Sequence, residues 1–469
     1  MRVLFIDPPF QRFMGFHRYY YPLGLASMAS VLRQAGHDVM IYDADRTEKA
    51  DTLSWSAVAD RHNHYLRGLS DQKHPVWAEA EAVIRDFDPQ LVGITALSVK
   101  ALSAARMARI CKRVNPNVVV VVGGDHPTVF PEQFLRNPDI DLVVRGEGET
   151  TMAELANCLE RKHPKGLGSV AGLSYRAGRE AKHNPNRALI ENLDELPFPA
   201  IDALMDAPSY RPIDFGAIMA SRGCPYDCTF CGVANVWTRR TRYRSPASVV
   251  SEIRWLKETY GTNYFSFRDA SFTVNRRRVM QLCREITANH LRIQWECLTR
   301  ADLLDHELVD AMTGSGCVTV RLGVESGSER ILRHMKKEVS LDAVRQAAKL
   351  LQERNIYWAA YILLGTPRET KESVRETVDL IREIDPPFVT LARFAPIPGT
   401  EMYDELAERN MISPDIDWSM ECNQRYASHY VYAMGEAEFE KVMRETAAFV
   451  ETHNSAKSAA LGQRDHRLK

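Results

Sequence analysis

The feature that most restricts the fold is an alternation of short apolar runs with amphipathic stretches, interrupted once. Val3 to Ile6, Val39 to Asp43, Leu91 to Ile94, Asn117 to Val122 and Asp141 to Val144 are brief, and the fourth carries consecutive valines from Val118 to Val122. Runs of that length, rich in β-branched residues, predict strands buried on both faces. Helical patterns lie between them: Leu25 to Leu32, closing near Gly36, then Ala101 to Arg113 and Thr150 to Arg161. Such alternation predicts an α/β doubly wound parallel sheet, whose ligands bind at the carboxyl ends of the strands. That rule gathers loops 7–24, 95–101 and 123–128 around one crevice.

The pattern stops from 166 to about 210, where Gly166, Gly168, Pro185, Pro197 and Pro199 surround one β-like run, Val170 to Tyr175. This predicts a linker with a small hairpin. From Ala217 the alternation resumes. Ala217 to Ala220, Tyr264 to Arg268, Ile293 to Leu298, Val318 to Gly323, Tyr357 to Leu364 and Phe388 to Phe394 read as six strands with helical patterns between them. Six βα units predict a partial (β/α)6 barrel rather than a closed one of eight. The expected divisions are 1–165, the linker 166–209, a barrel over 210–435, and a C-terminal helix and tail over 436–469. Apolar periodicity is lost from Ser455, so that tail is expected to fray.

Lys and Arg total 60 against 61 for Asp and Glu, a net charge of −1. The balance argues against a nucleic-acid binder and a charge-driven membrane protein. No apolar run reaches about 18 residues, so no spanning helix is expected. Nine cysteines are too sparse for a disulfide scaffold and suit a reducing cytoplasm.

Three of those cysteines carry the chemistry. Cys224, Cys228 and Cys231 stand at C-x3-C-x2-C spacing just after the first barrel strand. Three thiolates in one loop can hold three irons of a [4Fe–4S] cube, which ordinarily takes four. No fourth Cys is near, so one iron stays open to bind and reduce a ligand. The alternatives are a zinc knuckle, which would want a fourth His or Cys close by, and three chance cysteines. Cys111, Cys158, Cys283, Cys297, Cys317 and Cys422 are scattered and read as packing residues.

At this loop the chain resembles the radical S-adenosylmethionine (SAM) enzymes, with Phe230 as the aromatic before the last Cys. The resemblance continues in order through Tyr264 to Thr273, Gly323 to Ser328, Tyr361 to Thr370 and Ala395 to Thr400. Asp269 matches the family's acid after the second strand, and Ala270 departs from its commoner second acid. The resemblance implies a [4Fe–4S] cluster whose open iron binds SAM and cleaves it to methionine and a 5′-deoxyadenosyl radical. It also implies an external flavodoxin- or ferredoxin-like electron donor. Phe230, Asp269, Arg321, Glu325, Ser326 and Gly365 become candidate SAM contacts. A strand-end salt bridge is the plainer alternative for Glu325, and an ordinary turn for Gly365.

The first half lacks both phosphate fingerprints: Asp7-Pro8-Pro9-Phe10-Gln11 stands where a dinucleotide site needs G-x-G-x-x-G, and there is no P-loop. It is similar instead to the cobalamin-binding domain joined to many radical SAM enzymes. The matching pieces are Tyr21 to Ala26, Ala35 to Val39, Asp88 to Ile94, Val122 to Thr128 and Arg145 to Glu149. Gly123 and Gly124 would admit a large ring or its tail, with Thr95 and Ser98 bonding the nucleotide tail. His126 is a candidate cobalt ligand, and a hydrogen-bonding role is its plainer alternative. The D-x-H-x-x-G motif is absent: Asp60 to Tyr65 lacks its Gly, and His17 stands outside any such motif.

The combined order resembles class B radical SAM methylases, which implies C-methylation of an unactivated carbon of a small molecule. The alternatives are a non-methylating enzyme like the anaerobic magnesium-protoporphyrin ester cyclase, and a cobalamin-binding regulator with an inactive barrel. Phe10, Phe13, Phe16, Tyr19, Tyr20 and Tyr21 are expected at a pocket or a domain interface. Substrate contacts are expected from 411–435, including Trp418, Arg425, Tyr426, His429 and Tyr430.

Overall fold

The computed structural model describes residues 1–16, 20–47, 54–161, 166–413 and 416–461. Its apolar runs pair side by side as β1 (Arg2–Asp7), β2 (Asp38–Asp43), β3 (Leu91–Thr95), β4 (Val119–Gly123) and β5 (Leu142–Val144). They are mutually parallel in the order β2-β1-β3-β4-β5. The order reverses between β1 and β3, and a sheet of this kind opens its ligand crevice at that switch point.

Alternate residues of β1 feed two cores. Val3 and Phe5 pack with Leu25, Ala29 and Leu155 from the helices Leu23–Gln34 and Gly148–Arg161. Leu4 and Ile6 pack with Trp77, Ile84 and Met107 from the helices Pro75–Phe87 and Ala101–Val114. A further helix, Trp55–Ser70, packs Tyr65 into the second core. Its polar stretch from Asp60 to His64 dilutes the apolar stripe, which hides the helix from a periodicity reading.

The hairpin is part of this sheet rather than of a separate linker. β6 (Leu173–Ala177) pairs antiparallel with β5, and β7 (Glu180–His183) pairs antiparallel with β6. Leu173 joins the core while β7 is largely exposed and carries Glu180 and Lys182, which blunts the sheet edge.

The second half begins with β8 (Ala217–Ile218), followed by a two-stranded antiparallel ribbon of β9 (Ser221–Arg222) and β10 (Arg242–Tyr243). Then come β11 (Tyr264–Phe267), β12 (Gln294–Thr299), β13 (Cys317–Glu325), β14 (Tyr357–Leu364) and β15 (Phe388–Arg393). β8 and β11 to β15 form one parallel sheet in chain order, a six-stranded partial barrel. The helix Glu436–Leu461 covers its open edge: Asn454 accepts from the Val389 N–H (2.8 Å) and donates to the Val389 carbonyl (2.9 Å). Residues 455–461 therefore continue a helix where fraying was expected; the rest of the expected tail, 462–469, lies outside the described residues. Among the described residues no helix is long and apolar enough to cross a membrane.

Candidate active site

The ribbon β9–β10 brackets the cysteine loop. Gly223 opens it at φ +95, and a Cβ there would run into the Arg240 carbonyl, so the turn requires glycine. Thr229 fastens the middle. Its N–H donates to the Met335 carbonyl (3.0 Å), its hydroxyl to the His334 carbonyl (3.0 Å), and its carbonyl accepts from the Met402 N–H (3.0 Å). Phe230 packs on the apolar cluster of Ile331, Leu332 and Met335, which makes it an anchor beneath the loop.

Cys224, Cys228 and Cys231 are half-buried and free. Burial pushes the Cys228 thiol up to about 11 and raises Cys231 too. Thiols so placed become thiolates when a metal supplies the compensating charge. Among the described residues no three His, Cys, Asp or Glu side chains converge as a single ion requires. A cube takes one thiolate per iron, so three sulfurs spaced around a loop fit it better than they fit one zinc.

Beside the loop, Glu325 ends β13 in a left-handed conformation, φ +64, a strain typical of functional positions. Its carboxylate pairs with Lys337 at 2.7 Å. Gly323 leaves room for that pair, since a Cβ there would lie 2.7 Å from both charged atoms. Arg300 donates to the Lys337 carbonyl (2.6 Å) and lies over the Tyr226 ring at 3.6 Å. Lys337 and Arg300 carry no motif and are invisible in the sequence.

Arg321 lines the central cavity. It donates to both oxygens of Glu296 (2.7 and 2.6 Å) and to the Tyr361 hydroxyl (2.7 Å). Glu296 is wholly buried and also accepts from Tyr264 (2.8 Å) and Ser266 (2.9 Å). Tyr20, from the first half, reaches the same carboxylate at 3.4 Å, and burial pushes its phenol up to about 12.

Three candidates are engaged within the protein and are not among the residues lining the central cavity. Asp269 is buried, accepts from the Ala220 N–H (3.1 Å) and from Ser221, and so braces the bend that leads into the cysteine loop. Ser326 is fully buried beneath the helix Lys371–Ile384, paired with Thr377 (3.2 Å) and accepting from the Ser328 N–H (3.1 Å). Gly365 has φ +85 because the Phe439 ring lies 2.6 Å from where its Cβ would stand. Its freedom serves packing of the C-terminal helix rather than approach to adenine.

One cavity of about 930 Å³ lies between the two halves. That is near the upper end of ordinary ligand pockets, roughly 300–1,000 Å³. Asp7, Thr95, Gly123 and Gly124 line it from the ends of β1, β3 and β4; Arg222, Trp237, Arg268 and Arg321 line it from the barrel. Gly124 has φ +116, and a Cβ there would stand 2.8 Å from the Ala96 carbonyl. This glycine-lined floor with one hydroxyl fits a large cofactor resting on backbone. Ser98, in the one-turn helix Ser98–Lys100, is not among the lining residues.

His126 also lies off the cavity. It is packed edge-on against Trp418 (4.6 Å) and Phe134 (5.2 Å), with Nε2 3.0 Å from Gln133. Burial pushes its imidazole down to about 4, which favours a neutral packing histidine, and it is not among the residues that line the cavity. Phe16, Tyr20 and Tyr21 line the cavity, whereas Phe10 and Phe13 pack on Tyr65. His17 and Tyr19 lie outside the described residues. The expected substrate contacts do not reach the cavity either. Trp418 covers His126, Tyr426 packs on Trp55, Tyr430 donates to Glu421 and lies against His429, and Arg425 donates to the Met420 carbonyl.

A buried ionic cluster, unmarked in the sequence, joins the halves. Glu147 meets Arg242 through both oxygens (2.9 and 2.9 Å) and Arg222 (3.0 Å); Glu149 meets Arg222 (2.5 Å). Arg222 directly precedes Gly223 and Cys224, so the wall of the crevice is tied to the base of the cysteine loop.

Known proteins share this arrangement. Residues 218–381 match the model of the Radical SAM superfamily, and residues 16–156 that of the B12 binding domain. An uncharacterized methyltransferase of Pyrococcus horikoshii is 34% identical over 397 residues, covering 83% of this chain and 79% of its own. The anaerobic magnesium-protoporphyrin IX monomethyl ester cyclase of Rubrivivax gelatinosus is 28% identical, covering 87% and 70%. The radical SAM methyltransferase TsrM from Kitasatospora setae, solved with cobalamin and a [4Fe–4S] cluster, shares the fold. Its TM-score is 0.69 at 20% identity, over 94% of this chain and 81% of that one.

Proposed function

The chain belongs to the cobalamin-binding radical SAM family, and from that premise we propose that it transfers a methyl group to an unactivated carbon of a small molecule. The family's cofactors are a [4Fe–4S] cluster, SAM and cobalamin. The observation that carries the reading is the cavity bounded by the glycine-lined strand ends of one half and the barrel mouth of the other.

When bound, the cluster and SAM supply a carbon radical able to take hydrogen from an unactivated carbon, and the corrinoid supplies a methyl carrier. The residues divide the work around that chemistry. Cys224, Cys228 and Cys231 would hold the iron, with Phe230 and Thr229 fixing the loop. Glu325, paired with Lys337, would take the ammonium end of SAM, and Arg321, held in place by Glu296, offers its guanidinium at the barrel mouth. Thr95, Gly123 and Gly124 would receive the cobalamin tail. Phe16, Tyr21 and Trp237 line the cavity with apolar surface that limits water, which protects a radical from side reactions. An external flavodoxin- or ferredoxin-like protein supplies electrons. Nine free cysteines suit a cytoplasmic setting, and the even charge argues against a nucleic-acid partner.

The test is anaerobic turnover of the reconstituted enzyme with reductant, cobalamin and SAM labelled in its methyl group, across a panel of small molecules. Label in a carbon-bound product supports the reading. Deoxyadenosine released without labelled product throughout the panel moves the enzyme to the cyclase-like alternative.

A further inference from the structure

The cavity wall carries one charge that no described side chain answers. Arg268 follows β11 at the barrel mouth, is exposed, and lines the cavity. Among the described residues no side chain pairs or hydrogen-bonds with its guanidinium. It lies over the Tyr20 ring, 5.4 Å from the centroid, which leaves the charge in place.

The other charges on the wall are matched. Asp7 shares Lys100 with Asp45, Glu147 and Glu149 are met by Arg222 and Arg242, Arg244 meets Glu252, and Arg321 meets Glu296. The two residues after Arg268 bring no compensation. Asp269 is turned inward onto Ala220 and Ser221, and Ala270 has no charge. The wall therefore has a net positive charge at its barrel end. A guanidinium facing a partly enclosed space gains most from an oxyanion, which it can grip through two parallel N–H bonds.

We propose that Arg268 binds an anionic group of the substrate, so that the substrates are small molecules carrying a carboxylate, phosphate or phosphonate. This rests on the cavity being the methyl-transfer site. The same chemistry occurs in the SAM carboxylate and the cobalamin phosphate, and the experiment separates these sources.

The enzyme loaded with cluster, cobalamin and SAM is titrated with 8-anilinonaphthalene-1-sulfonate and with the uncharged N-phenyl-1-naphthylamine, following dye fluorescence. R268Q is expected to weaken sulfonate binding about tenfold while leaving the neutral dye unchanged, and R268K to keep most of the affinity. An equal effect on both dyes, or on neither, overturns the proposal. Cobalamin retention is read by absorbance, and SAM binding by its change of the reduced cluster's EPR spectrum. If R268Q has a native circular dichroism spectrum but loses cobalamin or SAM, the anion belongs to that cofactor and the substrate assignment falls. If R268Q does not fold, A270E, which sets a carboxylate beside the native Arg268, decides on the same dye readout. Dye binding needs no turnover, so failure of methyl transfer and failure of this proposal are separate results.

Discussion

The two halves of the molecule share one βα pattern and use their strand ends in opposite ways. In the first half the ends of β3 and β4 that face the cavity are Thr95, Gly123 and Gly124, nearly bare backbone. In the barrel the cavity receives Arg268 after β11 and Arg321 from within β13, with Glu296 behind Arg321, while Glu325 ends β13 paired with Lys337. One half offers shape to a bulky ligand, and the other offers charge to a small reacting one. A chain can divide cofactor holding from chemistry in this way only if the two surfaces are fixed relative to each other.

The sharpest break between the halves is expected at Cys228. Cys228→Ala should remove a cluster ligand, lowering iron content and abolishing deoxyadenosine formation. Cobalamin should remain bound, seen by its absorbance. Parallel loss of cobalamin would mean that the halves do not hold their cofactors separately.

The ionic junction comes next. Glu147→Gln leaves Arg222 and Arg242 buried with too little opposing charge, and breaking a buried pair costs about 3–5 kcal/mol. Urea denaturation should show that loss. In the folded fraction, the spin coupling between cob(II)alamin and the reduced cluster should broaden, because the crevice wall is no longer held to the cysteine loop. A sharp, native coupling would show that the junction contributes stability without setting geometry.

These contrasts explain what was legible in the sequence. The strands were readable because Val118 to Val122 and similar runs have few other ways to be buried. The cysteine loop was readable because its chemistry depends on spacing within eight residues, Cys224 to Cys231. Glu296, Lys337 and Glu147 were not, because each acts through a partner distant in the chain, and ion pairing leaves no local pattern. Asp269, Ser326 and Gly365 sit in recognisable motifs, yet each serves the scaffold of the motif. The sequence places the hairpin within a linker and does not show that it joins the sheet, because an edge strand is built from the polar residues that also make loops.

Glu369 tests whether charge in the barrel is confined to the ligand side. It is wholly buried behind β14, and burial raises its carboxyl to about 7 despite bonds from Ser373 and the Gly365 N–H. The folded state therefore holds a proton that the unfolded chain releases near 4.5. Stability from this group is full below about pH 4.5 and is lost as pH rises through about 7, by roughly 3 kcal/mol at most. Glu369→Gln should flatten that part of the profile, measured as urea midpoints at pH 5 and pH 8. On the other half, Gly124→Ala should cost about 1–3 kcal/mol, since φ +116 and the Ala96 carbonyl both oppose a side chain. Cobalamin affinity should fall with it while iron content stays native.

The smallest effect is expected at Ser326, and it sharpens the comparison most cheaply. A serine in the family's fourth-strand motif suggests a hydroxyl aimed at SAM, whereas here that hydroxyl is spent on Thr377 and the Ser328 N–H. Ser326→Ala removes these bonds inside a packed contact, a loss of about 1 kcal/mol in urea denaturation. SAM affinity, read from the reduced cluster's EPR response, should not change, because Glu325 and Lys337 on the opposite side of the chain remain in place. If SAM binding weakens severalfold while stability is untouched, Ser326 faces the ligand, and the division between scaffold residues and ligand residues must be drawn one position further along the strand.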